Sequence, residues 1–149
     1  MSAKQYFRQL KKLESRIKSD KQMAQCFREM AEGMSSPTIS DMPKGENTDQ
    51  SPMLTYLTKA WNLEESIKEK EMQLQRLRVL TFELIESIEN EDYRMILARR
   101  YLQNDSFRVI ARELFYSERW VYKLHCRALQ EFENKLNQKE FSIVQSSSV

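Results

Sequence analysis

Between Lys4 and Glu32 the apolar residues Tyr6, Leu10, Leu13, Ile17, Ala24, Phe27 and Ala31 recur at alternating spacings of four and three, and the polar Asp20 interrupts the series. Side chains three and four apart share one face of an α-helix, so this period predicts an amphipathic N-terminal helix over residues 1–33. Gly33 follows the last apolar position, where glycine can take the left-handed conformation that closes a helix. The stretch SSPTISDMPKGENTDQSP holds all three prolines and the second glycine and reads as an extended linker over residues 34–51. Ser51 and Pro52 then supply a cap and a first helical position, and neither proline nor glycine occurs again.

A long helix over residues 52–89 follows from Leu63, Ile67, Leu74, Leu77, Leu84 and Ile88, with Lys70 and Thr81 as polar entries in the same three-four spacing. Leu54, Leu57 and Trp61 extend the apolar stripe upstream. At about 1.5 kcal/mol or more for each buried Leu or Ile, this seam is worth roughly 9 kcal/mol when covered, so something must cover it. Two coverings compete: the N-terminal helix folded back antiparallel, and the same helix of a second chain.

From Glu91 the pattern shortens. EDYRMILARRYL predicts a helix with Tyr93, Ile96, Leu97 and Tyr101 inward, and Ser106 is a good cap for SFRVIAREL. Three residues, Phe115 to Ser117, precede a last helix, ERWVYKLHCRALQEFENKL, with Ser117 as its cap. Two helices joined by so short a turn cross steeply and share a small core, the helix-turn-helix geometry. Counted from Phe107 as position one, Ala111 falls at the fifth place, where the helices touch, and Ile110, Leu114, Tyr116, Val121 and Leu124 face the core. Residues 90–137 therefore read as a helix-turn-helix domain and 138–149 as a disordered tail.

Composition supports an all-α fold. The chain of 149 residues has 2 glycines and 3 prolines, against roughly 10 and 7 at average usage, too few for the tight turns of an all-β architecture. No apolar run is long enough for a membrane span and no apolar stretch follows the basic N-terminus, so the expected location is the cytoplasm. Cys26 and Cys126 form no C-x-x-C and are expected as reduced, buried thiols, and the single His125 lacks partners for a zinc site. Glycine-rich phosphate loops and nucleophile elbows are missing from the sequence, so no cofactor, metal or enzymatic activity is expected. The net charge of +2 conceals a segregation: residues 1–33 carry 8 basic and 4 acidic groups (+4), residues 54–92 carry 5 and 9 (−4), and residues 93–137 carry 9 and 5 (+4). The basic C-terminal block is a candidate for polyanion binding and the acidic middle a solvated helix face.

The run RMILARRYLQNDSFRVIARELFYSERWVYKLHCRALQEF, Arg94 to Phe132, resembles region 4 of the bacterial sigma-70 family: a leucine-arginine-tyrosine segment, a capped scaffold helix, and a recognition helix opening on Thr or Ser and reaching an alanine-leucine pair. With the N-terminal helix, the Ser/Pro linker and the long helix, the layout resembles the phage and prophage transcriptional regulators of the ArpU and RinA type from low-GC Gram-positive bacteria. Phe115 stands where the family has glycine in a left-handed turn, so a rebuilt turn is one expectation there. The resemblance implies that the last helix enters the DNA major groove with Glu118, Arg119, Tyr122 and Lys123 at the base-contacting places. The family more often has arginine, glutamate, arginine and glutamine there, so its −35 sequence preference does not carry over. Phosphate contacts would come from Ser106, Arg108 and Arg127, which border the same surface.

The residues carry an independent physical case, because side chains on the first turns of a helix whose apolar face is Val121, Leu124 and Ala128 must point away from the core. Arg119 can fork to guanine O6 and N7, Glu118 can accept from cytosine N4, and Tyr122 offers apolar contact and a hydroxyl. The competing readings are a dipole-favoured acid for Glu118, a surface aromatic for Tyr122, and packing for Trp120 and His125. Arg99 and Arg100 face either DNA or a partner. The expected function is a sequence-specific, DNA-binding transcriptional regulator, a phage late-gene activator acting near RNA polymerase. The alternative is a helical protein-interaction module that binds RNA polymerase or another protein without strong DNA binding. Double-stranded DNA is the expected partner, with a homodimer through the long helix because paired half-sites favour two-fold assembly.

Overall fold

The computed structural model describes residues 1–34 and 51–146, which form five α-helices and one π-helical turn, with no strand among them. The helices are α1 (Ala3–Met34), α2 (Pro52–Glu86), α3 (Glu91–Leu97), α4 (Phe107–Leu114) and α5 (Glu118–Ser146), and the π turn is Ala98–Leu102. Most of the expected linker lies outside the described residues, but its last residue acts as expected: the Leu54 amide donates to Ser51 Oγ at 3.2 Å and caps α2. No helix among the described residues is long and apolar enough to cross a membrane. The chain divides into two compact units, one of residues 12–74 and one of residues 1–11 with those from 75 onward.

In the unit of residues 12–74, α1 and α2 lie antiparallel around Ile17, Ala24 and Ile67, with Leu13, Leu63 and Leu74 packed alongside. Here the seam of α2, open in the sequence to a second chain or to a fold-back, is covered by the chain's own α1. The polar residues that interrupt the two seams meet, Lys70 Nζ donating to Asp20 Oδ2 at 2.5 Å. That hydrogen bond holds the Asp20 carboxyl below its ordinary range, aided by the charges of Lys70 and Arg16 against the opposing effect of burial. Arg28 grips Glu64 through two nitrogens at 2.5 and 2.7 Å, and Lys21 reaches Glu71 at 2.6 Å. These exposed pairs fix orientation more than they stabilise. Gly33 is inside α1 and does not close it, since no described glycine has positive φ.

In the other unit the first turns of α1 are core. Phe7 stacks on Tyr101 with centroids 3.7 Å apart, and Tyr6 and Phe7 both lie against the fully buried Phe132 of α5. The buried Thr81 hydroxyl donates to the Leu77 carbonyl at 2.6 Å and accepts from Tyr6 Oη at 2.7 Å, so the second polar entry of the α2 seam is also satisfied. Helix α2 stops at Glu86, short of the expected residue 89, and Ile88 is buried in the connection. Asn90 caps α3, its side chain accepting from the Tyr93 amide at 3.1 Å.

Three further sequence expectations are corrected. The segment expected as one helix from Glu91 passes into a π turn, with the Gln103 amide reaching the Ala98 carbonyl at 3.1 Å. Residues 138–146, expected as a disordered tail, continue α5: no proline or glycine stops the helix, Lys139 bonds Glu83 at 3.4 Å, and Glu140 meets the N-terminal ammonium at 3.8 Å. Cys126 is exposed on the outward side of α5, and Cys26 is half-buried, so neither matches a fully buried thiol.

Candidate nucleic-acid interface

The small core beneath α4 and α5 consists of Ile96, Ile110, Ala111, Val121 and Leu124, with Tyr93, Phe107 and Leu114 packed on it. Seven of these, all but Phe107, are positions that the sequence pattern assigns to the interior. Ser106 caps α4 and Ser117 caps α5, each hydroxyl oxygen accepting at 3.2 Å from the amide three residues on. Between them Phe115 is left-handed, at φ 58° and ψ 37°. Its amide donates to the Arg112 carbonyl, and the Tyr116 amide donates to the Ala111 carbonyl at 2.9 Å, the paired bonds of a Schellman closure. The turn is therefore not rebuilt around the bulky residue: Phe115 adopts glycine's conformation with its ring 94% exposed. Tyr116 departs from its expected core position, remaining partly exposed while its hydroxyl donates to Asp92 Oδ2 at 2.9 Å.

With Val121, Leu124 and Ala128 buried, the opposite face of α5 carries Glu118, Arg119, Tyr122 and Lys123, all exposed on its first two turns. Among the described residues, the side chains of Arg108, Glu118, Arg119 and Lys123 find no hydrogen-bond or ion-pair partner. The ring of Tyr122 lies 4.5 Å from that of Phe107, the residue after Ser106, so the start of α4 flanks the start of α5. Arg127 is exposed with its guanidinium 5.8 Å from the Trp120 ring. Ser106 and Arg108 are exposed at the first turn of α4.

Beneath this face, Arg100 stacks at 4.3 Å on Phe107 and donates to the Asp105 carbonyl at 3.2 Å, while Arg99 reaches Asp105 at 3.6 Å, so both arginines are engaged inside the unit. His125 is packed as the sequence suggests, Nε2 2.8 Å from Tyr101 Oη and its ring edge-on to Phe107. Burial, with the nearby charges of Arg100 and Lys4, lowers its pKa to about 4, so its imidazole is neutral at pH 7. Burial likewise raises the Tyr101 pKa.

Two neighbours of the face were not singled out from the sequence. Arg112 is exposed without an ion pair and stands one helical turn beyond Arg108, a spacing that could have flagged it. Phe107, used in the sequence only as the first position of the helix-turn-helix count, touches Tyr122, a contact between helices that no sequence spacing reveals. Among the described residues no group of three His, Cys, Asp or Glu side chains could hold a metal ion. Compared with known proteins, the chain matches no family model, no curated protein and no solved structure.

Proposed function

We propose that the chain is a sequence-specific DNA-binding transcriptional regulator in which α4, the turn and α5 act as a sigma-70 region 4-like helix-turn-helix, with α5 entering the major groove. The observation that carries this reading is the pairing of Arg119 with Lys123 on the exposed face of α5, without internal ion-pair partners, on a helix whose other face is locked into a core. Cations neutralised by their own acids have little left for a polyanion; these two do not. In this reading Arg119 forks to guanine, Glu118 accepts from a cytosine amino group, and Lys123 and Tyr122 complete the base contacts. Phe107 positions Tyr122 through a tilted ring contact. Ser106 caps through its oxygen, which leaves the hydroxyl hydrogen for a phosphate, with Arg108 and Arg127 as the accompanying cations. The resemblance to phage regulators makes late-gene activation beside RNA polymerase the expected biological setting.

Arg119→Ala should cost about 1–3 kcal/mol on the preferred duplex and relax preference at one base pair, whereas Arg108→Ala should weaken all duplexes alike and reduce the salt slope by about one. Fluorescence anisotropy on preferred and scrambled duplexes over a salt series reads both. Equal losses on both duplexes for both variants would reject the assignment of roles. A protein that binds no duplex and instead captures RNA polymerase would move the function to a protein-interaction module.

A further inference from the structure

In the unit of residues 12–74, the side of α2 facing away from α1 is not simply polar. Trp61 is 68% exposed and Met72 57%, and the ion-paired Glu65 and Lys68 stand between them. Their spacings of four, three and four place Trp61, Glu65, Lys68 and Met72 in one stripe, opposite the buried Ala60, Ile67 and their neighbours. An exposed tryptophan in line with an exposed methionine on a regular helical seam is a surface suited to another helix.

We propose that this stripe is the contact of an antiparallel homodimer, in which α2 meets the α2 of a second copy across a two-fold axis level with Ser66 and Ile67. The stripe is self-complementary about that point: Trp61 faces the partner's Met72, and Glu65 faces the partner's Lys68, each twice by symmetry. Parallel pairing would set Glu65 against Glu65 and Lys68 against Lys68, so charge selects the antiparallel arrangement. This surface is separate from the Leu63, Ile67 and Leu74 seam, which α1 already fills.

Sedimentation of the full chain over a concentration series, without DNA, tests the dimer independently of the proposed function. A reversible monomer–dimer equilibrium is expected, and Trp61→Ala should raise its dissociation constant about ten-fold or more, as for truncation of a central aromatic anchor. Glu65→Lys and Lys68→Glu should each weaken self-association, and an equimolar mixture of those two variants should recover it, because each then meets the opposite charge on the other chain. All four stripe residues are largely exposed, so circular dichroism should show unchanged helicity in every variant. A chain that is monomeric at all concentrations, a dimer unaffected by Trp61→Ala, or a mixture that associates no better than either charge variant alone would overturn the proposal.

Discussion

Phe115 is the residue at which local preference and the turn disagree. A non-glycine side chain in the left-handed region costs about 1–2 kcal/mol, and with its ring in solvent Phe115 makes little packing to offset that cost. Phe115→Gly should therefore raise stability by up to about 1 kcal/mol, the relief of strain being partly cancelled by glycine's greater freedom in the unfolded chain. A higher melting temperature in calorimetry is the expected sign, and a lower one would show that the exposed ring stabilises the fold. The unusual residue was legible in the sequence; that the backbone would keep the glycine conformation was not, because the Schellman bonds and the two caps that hold it form only once both helices are in place. His125 gives a second prediction. Its pKa is lowered in the fold from 6.5 to about 4, so the unfolded chain binds more protons between those values and stability falls as pH drops through that window. His125→Gln should flatten the decline in urea midpoint between pH 6.5 and 5, above the range where carboxylates dominate; an unchanged decline would place the sensitivity elsewhere.

Helical spacing specifies a face, not the surface that covers it. The seams of α1 and α2 were legible as three-four patterns, yet two coverings of the α2 seam stayed open because an apolar face fits its own chain or a second copy equally well. What distinguishes them in the unit of residues 12–74 is the pair that interrupts both patterns, Asp20 and Lys70. Each is tolerated in its seam because the other is opposite, and a lone partly buried charge would be costly. Lys70→Met alone should destabilise the protein in urea melts, and combining it with Asp20→Leu should recover most of the loss; equal destabilisation by both variants would mean the pair does not set the register. At the other end of the chain, the absence of helix breakers after Pro52 carried more information than the polar composition of the last residues, and α5 runs on to Ser146. Val121→Asp, which puts an unpartnered carboxylate in a fully buried position between α4 and α5, should abolish the cooperative melt and, with it, the proposed DNA binding.

Across the whole molecule the compact units do not follow chain order, because Tyr6, Phe7 and Leu10 at the start of α1 complete the core that carries α4 and α5. The sequence placed Tyr6 and Leu10 on the apolar face of an amphipathic helix and left Phe7 off it, and it could not show where they pack, since the partners of Phe7, Tyr101 and Phe132, lie about a hundred residues away. Phe7→Ala should cost about 3–5 kcal/mol, the usual loss for a buried phenylalanine, although it touches no proposed DNA contact. Chemical denaturation followed by near-ultraviolet circular dichroism would report it, and a loss below about 1 kcal/mol would show that the stacking on Tyr101 adds little. The candidate face was more legible than the core: helical register alone placed Glu118, Arg119, Tyr122 and Lys123 outward, and their exposure agrees. Selection of bound duplexes from a random pool by the full chain, followed by titration of the enriched duplex against a scrambled one at physiological salt, tests sequence-specific DNA binding most directly. One enriched motif, bound about 10³-fold more tightly than its scrambled counterpart, is the expected result; no enrichment, or equal affinity for the two duplexes, would contradict sequence-specific binding.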